Sequence, residues 1–158
     1  MTSERIDNLI ARLEKGLLKT NEVFNSLTAE QWASTAYEKP HRWDFRALLA
    51  HFVSSEERLL ELAQYIALGG NGAPLGFDFD EFNAQEQVRL HGCSPEELHN
   101  ALQNARQATL TWVRSLEDSQ LDLIGRHPAL GDINLETMIN AIYGHQLMHM
   151  RELRGKIG

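Results

Sequence analysis

The sequence predicts an all-α protein, a four-helix bundle with a long loop between the second and third helices. Three observations carry this. Apolar residues recur at three- and four-residue steps in four segments of roughly 22 to 25 residues each. The segments begin at residues suited to cap a helix, and glycines or prolines follow or precede them. No run of alternating β-branched residues competes with the helical periodicity. At 158 residues the chain suits one domain, 1–158, with one sizeable core.

The first helix is expected over 3–27, with Ser3 as its N-cap and Ile6, Leu9, Ile10, Leu13, Leu17, Val23, Phe24 and Leu27 on its apolar side. In the following TAEQW, Thr28 and Gln31 have the spacing of a capping box and predict one extra turn. Pro40 then resets the chain. The second helix is expected from Asp44 as N-cap to 68, stopped by Gly69, Gly70 and Gly72. Residues 69–92 are the least regular part, a loop with a short helix at 80–90, and a connection of this length suits FDFDEFN either to a lid or to a packed surface loop. The third helix opens at SPEEL, with Ser94 as N-cap and Pro95 in the first turn, and runs to 116. RHPALGD is read as a turn, and the fourth helix as 134–156.

Composition excludes several classes of function. Apolar residues make up 42% and charged residues 23%, as in a packed globular protein. With 22 acidic against 15 basic residues the net charge is -7, and no basic cluster is present to grip a nucleic-acid backbone, so no nucleic-acid partner is expected. Charges interrupt the N-terminal apolar positions, and no run is long enough to span a membrane. A cytoplasmic protein without a membrane partner is the expectation. Cys93 is the single cysteine, so there is no internal disulfide and no thiolate-rich zinc site; it is expected to be neither catalytic nor a ligand. Any metal must be held by nitrogen and oxygen.

The chemistry lies in YGHQLMHMREL. Four residues of helix advance about 400° and roughly 6 Å, so His145 and His149 stack on one face. They continue the apolar stripe of Leu135, Met138, Ile139, Ile142 and Leu153. A lone histidine on such a stripe is commonly a core residue with one satisfied hydrogen bond. Two stacked neutral rings are costlier to desolvate, and a metal ion relieves that cost by taking a lone pair from each. Among His41, His51, His91, His99 and His127, His51 is the candidate third ligand, because it lies inside the second helix at the margin of its apolar face. The motif is HQLMH rather than HExxH, which disfavours peptide hydrolysis, and the Glu-x-x-His pairs of a di-iron bundle are missing. One metal is implied.

RWDFRALLAHFVSSEERL, with Trp43 eight residues before His51, together with HPALGDINLETMINAIYGHQLMH and GHQLMHMREL, resembles the DinB superfamily over essentially the whole chain. The resemblance implies a bacterial four-helix bundle in which His51, His145 and His149 surround a divalent metal, zinc or nickel. It further implies a small-molecule substrate, with low-molecular-weight thiols as cosubstrates of known members, and a homodimer by superfamily habit. Three neutral histidines leave the 2+ charge uncompensated and a coordination position open, as in catalytic sites. Such a metal acidifies water, polarises a carbonyl or holds a thiolate. Two classes follow: a metal-dependent transferase or hydrolase, and a non-catalytic metal-bound bundle serving binding or stress protection. Glu56, Glu57 and Glu152 are acid–base candidates whose bland reading is a solvated helix surface; Tyr143 and Asn83 are weaker candidates for a cavity wall.

Overall fold

Ser3 caps the first helix as its position predicts, accepting the main-chain N–H of Ile6 at 3.2 Å. The computed structural model describes residues 2–157. From the N-terminus it comprises α1 (Glu4–Asn25), α2 (Ala29–Ala33), β1 (Thr35–Tyr37), β2 (Trp43–Asp44), α3 (Phe45–Ala67), α4 (Phe79–Arg89) and α5 (Pro95–Arg114). A 3-10 turn (Asp118–Asp122), β3 (Ile124–His127), β4 (Gly131–Asn134) and α6 (Leu135–Ile157) complete it. The long helices α1, α3, α5 and α6 are the four expected, and the caps explain why their ends are legible. Asp44 accepts from Ala47 N–H at 2.7 Å, and Asn134 from Thr137 N–H at 2.9 Å. Thr28 with Gln31 and Ser94 with Glu97 both close capping boxes.

One feature departs from the sequence reading. β1 pairs with β2 and β3 with β4 in small antiparallel hairpins, where no strand is expected. Strands of two to four residues are too short for alternation to be read. RHPALGD is thus the tip of a hairpin, and Gly131 supplies the positive φ of 76° that its turn requires. The short helix expected at 80–90 in the connection between α3 and α5 is α4, capped by Asp78. Before α4, Gly72 at φ 96° lies so close to β3 that a Cβ there would strike the main chain of Arg126. Two main-chain bonds fix this approach: Ala73 N–H to Arg126 O at 2.8 Å and Arg126 N–H to Asn71 O at 2.9 Å.

Around the bundle, α1 and α3 each pack against both α5 and α6. The order is therefore α1, α5, α3, α6, with the first two long helices diagonal to each other. One apolar cluster gathers Phe24, Phe52, Leu98, Leu102 and Leu153; a second gathers Leu9, Leu13, Ile66, Leu110 and Ile139. Between them lies a buried polar layer. Glu56, whose bland reading is a solvated surface residue, is buried there, because Arg106 stands opposite it on α5. Arg106 donates to both carboxylate oxygens of Glu56, at 2.5 and 2.9 Å, and to the carbonyl of Leu13 at 2.7 Å. Gln146 Nε2 donates to the same carboxylate at 2.9 Å and Thr109 Oγ1 at 3.3 Å. The layer thus draws on all four long helices, and its members satisfy one another. No helix among the described residues is long and apolar enough to cross a membrane.

Candidate metal centre

Because α3 and α6 are neighbours, His51 meets the pair on α6. The Nε2 atom of His145 lies 3.0 Å from that of His51 and 3.1 Å from that of His149. One ring nitrogen from each of the three falls within 4.8 Å of the others. The packing that holds the rings is aromatic: Trp43 lies against His51 with centroids 4.9 Å apart, and Phe52 flanks His149 at 5.8 Å. Burial holds the three rings neutral. It takes His145 down to about 3, reinforced by the neighbouring His149 and His127 rings. His51 is pushed well below its usual value by burial and then by His145 and His149. His149 is also lowered by burial, opposed by the charge of Glu152.

A hydrogen-bond chain fixes the tautomer of His149. Its Nδ1 lies 2.8 Å from the hydroxyl of Tyr37, which donates its single proton to Glu152 Oε2 at 2.5 Å. Tyr37 must then accept from His149 Nδ1–H, which leaves the Nε2 lone pair aimed at the other rings. Burial, and next the Glu152 carboxylate, push the phenol well above its usual pKa, so it stays a donor. The Nε2 of His145 carries at most one proton and faces two ring nitrogens. One proton cannot satisfy both contacts, whereas a cation placed among the nitrogens takes a lone pair from each. Their spacing also approaches the roughly 3.3 Å between nitrogens bound tetrahedrally to zinc. The donor set fits a divalent ion.

The histidines line a cavity of about 440 Å³. Its walls are largely aromatic, from Tyr37, Trp43, Phe77, Phe79 and Phe82, with His127 beside them.

The model of the DinB superfamily matches residues 12–153. The chain belongs to the DinB superfamily. No protein of curated function matches it. Among solved structures, YfiT from Bacillus subtilis, described as a probable metal-dependent hydrolase with an unusual four-helix bundle topology, is 19% identical, with a TM-score of 0.74 over 100% of this chain and 90% of that one. An uncharacterised protein from Escherichia coli UTI89 is 14% identical, with a TM-score of 0.70 over 99% and 98% of the two chains. The colibactin self-resistance protein ClbS, solved in complex with a dsDNA, is 15% identical, with a TM-score of 0.71 over 95% of each. At these identities the likeness is one of fold.

Within this DinB-superfamily chain the remaining candidates separate. Asn83 lines the cavity, as do the three phenylalanines of FDFDEFN. Tyr143 does not: its ring covers Gly16 of α1, where any Cβ would collide with it. Glu56 belongs to the polar layer, and Glu57 pairs with Arg89 at 2.9 Å on the surface. Glu152 reaches the centre through Tyr37. Gln146 turns into the core, so an acid at that position, as in HExxH, would not face the cavity. Cys93 lies outside the cavity lining and packs against the first apolar cluster. Tyr37 is the residue that sequence reasoning misses, and His127, weighed there only as a third ligand, stands in the cavity wall instead. Tyr37 sits on a strand too short to be read, and 112 residues separate it from its histidine.

Proposed function

We propose that the protein is a metal-dependent enzyme acting on a small molecule, with His51, His145 and His149 holding one divalent cation, zinc or nickel, through their Nε2 atoms. The observation that carries this reading is the convergence of those three nitrogens on the wall of a cavity of about 440 Å³. That volume is within the range of roughly 300 to 1,000 Å³ usual for small-molecule sites. Family membership and the description of YfiT as a probable metal-dependent hydrolase support it. The reaction classes that suit the site are hydrolysis and transfer to or from a low-molecular-weight thiol. A divalent cation held by neutral imidazoles supplies Lewis acidity toward a substrate oxygen or sulfur. The chain's own part is to hold the rings, to keep His149 in the Nδ1–H tautomer through Tyr37 and Glu152, and to present aromatic walls that exclude water. A purely structural ion is disfavoured, since two apolar clusters and the Glu56–Arg106 layer frame the bundle without it. Nucleic acid is no part of the proposal, because a net charge of -7 works against a phosphate backbone.

Metal analysis of the purified protein followed by screens for ester hydrolysis and thiol transfer tests this. The expected result is about one equivalent of zinc or nickel, with turnover abolished by chelator while the helical circular dichroism remains. A protein that takes up no divalent metal would overturn it. Tyr37→Phe tests the supporting chain separately. It should lower zinc affinity by about 10- to 100-fold in competition with a chelating dye. Unchanged affinity would mean that Tyr37 is only a wall residue.

A further inference from the structure

We propose that His127 is a hydrogen-bond donor of fixed tautomer in the cavity wall, and that the cavity takes small molecules with an aromatic body and an acceptor oxygen bonded by His127 Nε2–H. The proposal names a substrate class for the site above and rests on that reading for its chemistry, though not for the binding contact.

The argument starts at the tip of the β3–β4 hairpin. The main-chain N–H groups of Ala129 and Leu130 both donate to His127 Nδ1, at 3.0 and 3.1 Å. A nitrogen that accepts two hydrogen bonds carries no proton, so the neutral ring must carry its proton on Nε2. Adding a second proton would place it on Nδ1 and break both main-chain bonds; burial also lowers the pKa of this ring. His127 is therefore a donor through Nε2 and cannot act as an acceptor there. The hairpin that carries it is fixed by the main-chain bonds between Arg126 and the segment at Asn71 and Ala73.

Among the described residues no side chain or carbonyl accepts from that Nε2–H, yet it is not among the buried unpaired atoms. It is open, on a half-buried ring that lines the cavity. Around it Trp43, Phe77, Phe79 and Phe82 offer aromatic faces, and Lys39, His41, Asp80 and Asn83 complete the polar part of the wall. The nearby cation Arg58 is already engaged: it pairs with Glu61 at 2.9 Å and stacks on Phe82 at 5.4 Å from the ring centroid. Among these wall groups His127 Nε2–H is the donor whose tautomer the main chain fixes, and it suits an acceptor oxygen such as a carbonyl.

The test compares acetophenone and ethylbenzene, two probes of similar shape of which one has a carbonyl. Binding is followed by NMR to the zinc-loaded and the chelator-treated protein, for the parent and for His127→Asn. The asparagine carboxamide oxygen can keep the turn by accepting the following main-chain N–H groups, but it withdraws the donor from the cavity. His127→Asn should weaken acetophenone by about tenfold and leave ethylbenzene within about twofold. In the parent, acetophenone should move the His127 Nε2–H resonance downfield, a readout that needs no variant. Equal effects on both probes, no effect on either, or no binding of either probe to the parent would overturn the proposal. If the chelator-treated protein shows the selective loss while no zinc binds, the metal reading fails and this one stands. If zinc binds but the selective loss is missing, the reverse holds.

Discussion

Glu56→Ala should lower the unfolding free energy by about 3 to 5 kcal/mol, measured by urea denaturation. In a chain of this size that is a fall in thermal midpoint on the order of 10 °C. The reason is the charge left behind. Arg106 is wholly buried and finds both of its anionic partners on one carboxylate, so truncation leaves a guanidinium in the core with little beyond the Leu13 carbonyl and a 3.4 Å contact to Gln146. Gln146 Nε2 loses its acceptor at the same time, whereas Thr109 Oγ1 keeps the Ala105 carbonyl at 3.1 Å. Replacing both partners, Glu56→Leu with Arg106→Met, should recover most of the loss, since apolar packing can substitute for an ion pair whose desolvation offsets much of its attraction. A loss below about 1 kcal/mol in the single variant would show that water reaches the layer.

His145→Ala should reduce zinc affinity by more than the roughly 100-fold typical of residues behind the ligands. His145 is the ring that both others face, at 3.0 and 3.1 Å, so its removal leaves two nitrogens without a common neighbour. His149→Ala should be comparably severe. His51→Ala should weaken binding strongly yet leave a remnant, because the α6 pair keeps its helix-imposed spacing. In each variant the thermal midpoint of the zinc-loaded protein should move toward that of the chelated parent. The measurement is metal stoichiometry with thermal unfolding. Three variants that each retain one equivalent would show the histidines to be core residues.

Local relations in this molecule were legible and non-local ones were not. The apolar stripes, the caps at Ser3, Asp44 and Ser94, and the HxxxH pair are all written within a few residues of themselves. His51 could be singled out because it lies inside a helix, and Trp43 eight residues earlier tied it to the superfamily pattern. Glu56 could not be placed. It lies five residues, about 500°, beyond His51 and next to an acid that does face solvent. Only Arg106, fifty residues later, separates the two. The roles of Tyr37 and His127 escaped for the same reason, since each gains its meaning from a hairpin and from a partner surface that one sequence does not juxtapose.

The three histidines sit on α3 and α6, whereas much of the wall around them comes from connections: the turn near Pro40, the segment Phe77 to Asn83, and the hairpin tip at His127 to Ala129. Connections accept insertions and exchanges that helices clamped by a buried ion pair do not. Selection can therefore rework the cavity wall while leaving the three-histidine cluster intact, so that two descendants of one ancestor can differ in what they admit and still share the same group of rings.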